Sequence, residues 1–263
     1  MMLKRRLIPK LQLRSMRIGD SERMILVTTV RFGQNVQVGD PISQAKIYQA
    51  QVADELIFID LDATLQARRT MTAIVQKAAE EIFMPLTVGG GVRSTDDFRS
   101  LLRSGADKVC INTAAVEDPE LIARAADMFG AQCVVVSIDY RRAGDGRYSV
   151  FTRGGMQDTG LDPVAWAEVC AKRGAGEILL TSIDRDGTRV GLDIELTRRV
   201  ATAVSIPVIT SGGCGSAAHF VEGFSAGMAD AVAAGTFFYS KDQTPLQTRA
   251  RISNAGIPIR LHT

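Results

Sequence analysis

Several carboxylates stand at or just after the ends of short apolar runs, where an acid can act on a bound ligand. Asp139 ends the run Cys133–Asp139, and four more acids end or follow two similar runs: Asp60, Asp62, Asp184 and Asp186. A carboxylate at the C-terminal end of a strand is a candidate general acid or base, or a ligand for a substrate hydroxyl. The alternative for each is a loop cap or a solvated charge. We favour a functional role for Asp139 first, then for Asp186 and Asp60.

Glycines follow two pairs of apolar runs and predict two phosphate sites. Gly89–Gly91 and Asn112–Thr113 lie in the first half of the chain, and Ser211–Gly213 and Gly235–Thr236 lie in the second. Glycine lets backbone N–H groups approach an anion, and the start of a following helix adds positive potential. A lone glycine triplet is more often a tight turn, but the paired occurrence favours a ligand with a phosphate at each end.

Charged residues open four of the apolar runs, at the opposite end from the acids and glycines. They are two bases and two acids: Arg6, Glu55, Lys108 and Glu177. If the runs are strands of a barrel, charge at this end is unusual, because branched apolar residues normally fill the interior. A structural ring of salt bridges explains these residues, and a gate at the mouth of the barrel also fits them.

The chain repeats itself with a spacing of 122 residues (55 to 177, and 85 to 207). The segment Asp54–Thr64 returns as Gly176–Asp186, and Pro85–Gly91 returns as Pro207–Gly213. A period this long is not that of a solenoid, whose units are tens of residues long. It indicates two fused copies of a half-domain, each with its own acids and glycine turn.

Eight apolar runs have the length and composition of strands that are buried on both faces. They are Arg6–Leu13, Glu55–Asp60, Pro85–Val88, Lys108–Asn112, Cys133–Asp139, Glu177–Ser182, Pro207–Ser211 and Ala231–Ala234. Amphipathic stretches between them predict helices. Eight strand–helix units without a linker predict an α/β fold, one (β/α)8 TIM barrel over residues 1–263 built from two half-barrels. An open doubly wound sheet is the alternative, and the duplication favours the barrel.

Two strand-to-helix connections are long and occupy equivalent places in the two halves. Ser15–Asp40 follows the first strand and contains a predicted short strand, Met24–Val30. Arg141–Gly160 follows the fifth strand, and Tyr148–Thr152 within it predicts a small hairpin. Long loops on this face of a barrel are usually lids or substrate loops.

The bulk composition excludes several classes of function. A net charge of +2 gives no electrostatic basis for nucleic acid binding. Apolar runs fall short of the roughly 20 residues of a membrane span, and the N-terminus lacks the features of a signal peptide. The four cysteines form no CxxC pair and there are only two histidines. We therefore expect no metal, no cofactor and a cytoplasmic protein.

Two segments, Gly105–Val116 and Gly174–Thr188, closely resemble the HisF family, the cyclase subunit of imidazole-glycerol-phosphate synthase. The resemblance covers nearly the whole chain. In that family a (β/α)8 barrel receives ammonia from a HisH-like glutaminase at its N-terminal face and passes it through the interior to a bis-phosphate substrate. The resemblance implies an ammonia gate at Arg6, Glu55, Lys108 and Glu177. It also implies phosphate contacts at these positions: Gly91, Asn112, Thr113, Asp186, Gly187, Gly213, Gly235 and Thr236.

The catalytic pair of that family is only half present. The family uses two aspartates, one ending strand one and one ending strand five, and Asp139 matches the second. The first falls at Gln12, where the family motif Ile-Pro-Cys-Leu-Asp-Val is replaced by Ile8–Leu13. An amide cannot titrate as a carboxylate does. Lys10 shares strand parity with Arg6 and Gln12, so we expect it in the barrel interior with a carboxylate partner or water.

These departures resemble a HisF-like branch that works with a glutaminase and a sugar amidotransferase to make acetamidino-bearing surface sugars, such as nonulosonic acids. Thr28, at the place of the family's mobile-loop lysine, is a further departure, and Leu61–Thr64 fits that branch. The resemblance implies a protein that relays ammonia rather than closing an imidazole ring. Two alternatives stay open. One is an active cyclase of histidine synthesis in which Asp139 suffices or another group replaces Gln12, and the other is a non-catalytic barrel that binds a phosphorylated ligand.

Overall fold

A computed structural model describes residues 4–19, 21–63, 71–240 and 243–260 of the chain. Its strands are β1 Arg6–Ile18, β2 Ser21–Thr29, β3 Asn35–Gly39, β4 Leu56–Asp60, β5 Leu86–Gly89, β6 Lys108–Ile111, β7 Val134–Arg142, β8 Tyr148–Thr152, β9 Gln157–Asp158, β10 Glu177–Ser182, β11 Val208–Ser211 and β12 Ala231–Ala234. Its helices are α1 Pro41–Ala50, α2 Thr72–Glu81, α3 Thr95–Arg103, α4 Thr113–Glu117, α5 Glu120–Phe129, α6 Pro163–Lys172, α7 Ile194–Ala203, α8 Ala217–Ser225, α9 Thr236–Tyr239 and α10 Pro245–Asn254.

Eight of these strands close a barrel. The order runs β1, β4, β5, β6, β7, β10, β11, β12 and back to β1, and every neighbouring pair is parallel. The pair β6–β7 joins the two halves on one side, and the pair β1–β12 joins them on the other. Parallel neighbours need a crossover, and the helices supply it. The (β/α)8 barrel is confirmed, and the open sheet is excluded.

The barrel strands form because their side chains are apolar on both faces. On β1, Leu7, Leu11 and Leu13 are buried against the helices, in the large cluster that surrounds the barrel. Ile8 points the other way and joins a small interior cluster with residues of six other strands. Alternation of side chains along a strand places Arg6, Lys10 and Gln12 on that same inner side. The expectation that Lys10 faces the interior is therefore confirmed.

The two long connections form antiparallel extensions of β1 and β7. The predicted first strand ends too early at Leu13, because β1 continues to Ile18 and pairs with β2 from Gln12 onwards. The predicted strand Met24–Val30 exists as the longer β2, and it pairs in turn with β3. In the second half the predicted hairpin at Tyr148–Thr152 is confirmed as β8, which pairs with β7 and β9. Each half thus places a small sheet above its first strand.

The bounds of the remaining barrel strands agree with the prediction or differ from it by one to three residues. Barrel strands and helices mostly begin or end one residue away from the apolar pattern, because a cap or a turn sets the last residue. At α3, for example, the Ser94 side chain accepts a hydrogen bond from the backbone N–H of Asp97, and the Asp97 side chain accepts one from the backbone N–H of Ser94, so the helix begins at Thr95. Among the described residues, every helix is too short or too polar to span a lipid bilayer.

Candidate functional site

A cavity of about 830 Å³ opens at the C-terminal end of the barrel strands. Its floor reaches Cys110 and Leu179 in the barrel interior, and its walls come from the strand ends and from both small sheets. Many polar and charged side chains line it, among them Lys10, Gln12, Arg14, Thr29, Asp60, Asp62, Arg93, Asn112, Thr113, Ser137, Asp139, Arg153 and Thr181. Because this is the face where barrel enzymes hold their ligands, the cavity is the candidate site.

Gln12 belongs to a buried network that joins three parts of the chain. Its Nε2 atom donates to Asp186 Oδ2 over 3.4 Å, and its Oε1 atom lies 3.1 Å from Thr29 Oγ1. The Thr29 hydroxyl lies 3.0 Å from the same Asp186 oxygen. Thr29 comes from β2 and Asp186 from the loop after β10. The acid that hydrogen-bonds Gln12 is therefore Asp186.

Asp139 stands at the cavity wall with the character of an acid that works near neutral pH. Ser137 Oγ donates to Asp139 Oδ1 over 3.1 Å, and Asn112 Nδ2 lies 3.4 Å from Oδ2. Burial raises the pKa of Asp139 to about 6, although the positive charge of Lys10 and the hydrogen bond from Ser137 oppose the rise. A carboxyl with a pKa near the working pH is suited to general acid–base catalysis.

Replacing Asp139 by Asn is expected to increase stability at neutral pH and much less in acid. The folded carboxyl holds its proton up to about pH 6, whereas the unfolded one loses it near pH 4. Ionisation therefore favours the unfolded chain increasingly between these values. The free energy of unfolding of Asp139→Asn should exceed that of the native chain by about 1–3 kcal/mol at pH 7.5.

Urea unfolding of both proteins at pH 4 and pH 7.5 measures this difference. At pH 4 the difference should be several-fold smaller. A hydrogen bond lost through the amide would change the free energy of unfolding equally at both pH values. The change in the difference between pH 4 and pH 7.5 therefore reports the ionisation of Asp139 alone. An equal difference at both pH values would mean that Asp139 titrates in the folded protein as it does in the unfolded chain.

Lys10 reaches the floor of the cavity from the barrel interior. Only 5% of the residue is exposed, and its Nζ atom lies 3.8 Å from Asp186 Oδ1. The carboxylate partner that the buried ammonium requires is therefore present. Lys10 thus stands in the interior layer directly below Gln12, with Asp139 across the cavity wall within electrostatic range.

The first group of predicted phosphate residues lies on the cavity wall. Gly91, Asn112 and Thr113 all line it, at the ends of β5 and β6. Gly90 has a φ of +108°, and a Cβ atom there would overlap the carbonyl of Asp60, so the turn admits only glycine. The backbone N–H of Arg153 donates to Thr113 Oγ1 over 3.0 Å, so the second small sheet closes this side of the cavity.

The second group lies outside the wall of this cavity. Gly213, Gly235 and Thr236 follow β11 and β12, and the sheet of β2 and β3 stands on that side of the barrel mouth. Val38 of β3 accepts a hydrogen bond from the Tyr239 hydroxyl of α9. At the tip of the hairpin, the backbone N–H of Arg31 donates to the carbonyl of Asp186, and a Cβ atom at Gly187 would overlap the carbonyl of Thr29. Sequence symmetry predicted two equal phosphate sites, whereas the structure brings only the first to the cavity.

The four charged residues at the other end of the barrel form one closed ring. Arg6 binds Glu55 over 2.8 Å and also binds Glu177, while Lys108 Nζ lies 3.0 Å from both carboxylates. Burial opposes the charge on Arg6, but Glu177 and Glu55 hold its pKa above the ordinary value. Burial also works against the charge on Glu55, yet Arg6 and Lys108 hold its pKa below the ordinary value. Arg6 and Glu55 therefore keep their charges within the ring.

One apolar layer separates this ring from the cavity. Each ring residue is followed, two positions further along the chain, by an apolar side chain that faces the same side of the strand. These side chains are Ile8, Ile57, Cys110 and Leu179. Val135, Ile209, Ala231 and Ala233 complete this interior cluster. Two residues of a strand span about 6.6 Å. Since Cys110 and Leu179 also line the cavity, the ring, the apolar layer and the cavity lie in sequence along the barrel axis.

Comparison with known proteins identifies the family. A model of the family described as histidine biosynthesis protein matches residues 15–244. A curated relative from Prochlorococcus marinus (strain MIT 9313), named "Putative imidazole glycerol phosphate synthase subunit hisF2", is 48% identical over 260 residues, which is 99% of each chain. The chain is a HisF-like member of the histidine biosynthesis family. The resemblance that rested on Gly105–Val116 and Gly174–Thr188 is confirmed.

Other acids of this HisF-like chain have structural partners. Asp60 Oδ1 accepts the backbone N–H groups of Asp62 and Ala63 and so holds the turn after β4. Asp62 binds Arg14 through both carboxylate oxygens. Asp184 is exposed and accepts the backbone N–H of Arg142. Thr64, which ends the segment Leu61–Thr64, lies outside the described residues, and no group of His, Cys, Asp and Glu within the described ranges is arranged to hold a metal ion.

Three cavity residues of this HisF-like protein escaped sequence reasoning. Thr29 joins the Gln12 network, Phe32 lines the cavity, and Arg153 contacts Thr113 and pairs with Glu117 over 2.9 Å. Thr29 and Phe32 belong to the first long connection, and Arg153 belongs to the second. Both connections were predicted to be substrate loops, but no local pattern marks which of their residues face the barrel axis.

Proposed function

We propose that this HisF-like subunit conducts ammonia from a glutaminase at its N-terminal face to the cavity at its C-terminal face. The observation that carries the proposal is the axial sequence of a closed charged ring, one apolar layer and a polar cavity. The ring of Arg6, Glu55, Lys108 and Glu177 satisfies its own charges. A docking partner that breaks one of these ion pairs would open the mouth of the barrel, so the ring can serve as a gate.

The apolar layer favours neutral ammonia over the ammonium ion. Ile8, Ile57 and Val135 are fully buried, so an ion that crosses between them loses its hydration without a partner. Removing an ion of this size from water costs several kcal/mol, whereas uncharged ammonia has no such charge penalty. Ammonia released from glutamine at the N-terminal face thus crosses the apolar layer to the cavity, whereas the ammonium ion does not cross it.

We further propose that the delivered ammonia serves the amidation of a sugar rather than imidazole formation. Because Gln12 stands in place of one aspartate, the site has only one of the two carboxylates that a cyclase uses. Lys10 stands next to Gln12. In the related branch the acceptor belongs to the biosynthesis of acetamidino-bearing surface sugars such as nonulosonic acids, and a sugar amidotransferase is the second partner. The phosphorylated ligand would occupy the wall with Gly91, Asn112 and Thr113, and the work would take place in the cytoplasm.

An active cyclase of histidine synthesis is the second candidate, and one observation favours it. Asp186 hydrogen-bonds Gln12 and stands 3.8 Å from Lys10, so a second carboxylate is already present beside the position of the missing one. Together with Asp139, it supplies two titratable acids at one end of the barrel. A cyclase assay separates the two candidates, and its expected result opens the Discussion.

Reversing two charges of the ring is expected to abolish association with the glutaminase. Lys108→Glu combined with Glu177→Lys keeps the net charge of the chain. It reverses the sign of the charge at two of the four ring positions that a docking partner would meet. Like-charge contacts at an interface typically cost several kcal/mol, so association with the HisH-like glutaminase of the same genome should weaken by at least 100-fold. Co-purification and isothermal titration with that glutaminase measure it.

The matched control reverses an exposed pair on the outside of the barrel. Lys46→Glu with Glu81→Lys exchanges the charges of a bridge between α1 and α2, and association should be unchanged. Thermal unfolding verifies that both double variants are folded. If a chain with all four ring residues replaced by Gln still binds the glutaminase with native affinity, the docking site lies elsewhere.

A further inference from the structure

We propose that Lys10 is a nucleophile that forms an imine with a phosphorylated sugar in its open-chain carbonyl form. A primary amine in an enclosed cavity can attack a carbonyl, provided that one group takes its proton and another delivers a proton to the leaving oxygen. Among the residues that the structure describes, Lys10 is the only lysine that lines the 830 Å³ cavity. The inference concerns chemistry at this residue and is independent of the ammonia route.

Two carboxyl groups around Lys10 have the placement that such a step requires. Asp186 Oδ1, 3.8 Å from Nζ, is positioned to take a proton from the ammonium form. Its other oxygen is held by Gln12 Nε2 and by the Thr29 hydroxyl, so its orientation is fixed. Asp139, on the cavity wall, carries a proton up to about pH 6 because burial raises its pKa, and it is oriented by Ser137.

The step balances with groups that the site already holds. Lys10 gives a proton to Asp186, and the free amine adds to the carbonyl carbon to form a carbinolamine. Asp139 then protonates the carbinolamine hydroxyl, the C–O bond breaks, and water leaves. The nitrogen keeps one proton, so the product is a protonated imine; the carboxylate left on Asp139 stabilises its charge, and Asp186 holds the proton that came from Lys10. No oxidant or reductant is needed.

The cavity wall selects the class of carbonyl compound. Gly91, Asn112 and Thr113 line the same cavity as Lys10, and the turn at Gly90 exposes backbone that only glycine permits. An anionic group of the ligand therefore has a place at the wall while its carbonyl faces the floor. A sugar or short-chain ketose with one phosphate satisfies both ends, and Gln12 beside Lys10 adds an amide that can hold a hydroxyl.

Borohydride trapping tests the proposal on the purified chain. The protein is incubated with dihydroxyacetone phosphate or ribulose 5-phosphate and then reduced, without ammonia or glutaminase. Intact mass should rise by one reduced adduct per chain, and tryptic mapping should lose cleavage after Lys10. Unphosphorylated dihydroxyacetone at the same concentration should give at least tenfold less adduct.

Three variants separate a nucleophile from a structural cation. Lys10→Arg keeps the positive charge beside Asp186 but should form no adduct at this position. Asp139→Asn should slow trapping by about 10²-fold, the effect of losing a general acid, and the native rate should fall as the pH rises above about 6. Lys77→Arg, which removes another lysine, should trap as the native chain does. The proposal is overturned if neither phosphorylated probe leaves an adduct on Lys10 of the native protein, or if Lys10→Arg is labelled to the same extent.

Discussion

With saturating ammonium, the native chain should turn over the bis-phosphate ribulosyl substrate of imidazole-glycerol-phosphate synthase far more slowly than its Gln12→Asp variant. Loss of one general acid or base typically reduces a rate by 10²- to 10⁴-fold, and Gln12 stands where the family places one of its two aspartates. The assay bypasses any glutaminase because ammonium supplies the nitrogen. Formation of imidazole glycerol phosphate is measured directly.

The surroundings of Gln12 set the size of the gain. An aspartate at this position loses the amide that now donates to Asp186 and brings a second negative charge towards it. Like charges at this distance raise one of the two pKa values, and Lys10 offsets part of that repulsion. We therefore expect the turnover rate of Gln12→Asp to exceed that of the native chain by at least 10²-fold but to stay below the upper limit of 10⁴-fold.

Combined variants identify what else separates this barrel from a cyclase. Gln12→Asp with Asp139→Asn should return to the native rate, because both acids are needed. If Gln12→Asp alone restores nothing and Gln12→Asp with Lys10→Cys does, Lys10 is the obstacle. Asp60→Asn should have little effect, because Asp60 is engaged in the turn after β4. A native rate equal to that of an ordinary cyclase would remove the main support for ammonia relay.

Arg249→Met should destabilise the protein by about 3–5 kcal/mol, the usual loss when one partner of a buried ion pair is removed. Arg249 is 3% exposed, and its Nη2 atom lies 2.9 Å from Asp54 Oδ2. Nη2 also donates to the carbonyl of Val52 over 2.6 Å, which ties α10 to the entrance of β4. Methionine fills similar space but leaves the Asp54 carboxylate buried without its cation. Urea unfolding gives the difference in free energy.

The double variant Arg249→Met with Asp54→Asn distinguishes charge from packing. Asn keeps an oxygen for the backbone N–H of Leu7, which Asp54 Oδ2 now accepts over 2.8 Å, and it carries no charge. Most of the lost stability should return. Arg124→Met removes the cation of an exposed pair with Asp118 and should change stability very little. A loss in the double variant as large as in Arg249→Met would assign the effect to the lost contacts of the guanidinium.

The sequence by itself determined the barrel and the two ends of its axis. Strands buried on both faces are continuous apolar runs, so β4, β5 and β10 are recognisable without any knowledge of their neighbours. The repeat of 122 residues then implied closure of two halves. Side-chain alternation along each strand places charged residues at one end of the interior and acids at the other. These features are local, and the chain alone carries them.

The tertiary structure decided which residues meet. Gln12 and Asp186 are 174 positions apart, and their hydrogen bond depends on where the loop after β10 is held by the tip of the β2–β3 hairpin. The burial that raises the pKa of Asp139 comes from the whole barrel rather than from its own strand. The hairpin also separates the cavity from Gly213 and Thr236, although the sequence repeat made them equal to Gly91 and Thr113. Long loops obey no apolar period, so their path follows from contacts made only when the barrel has closed.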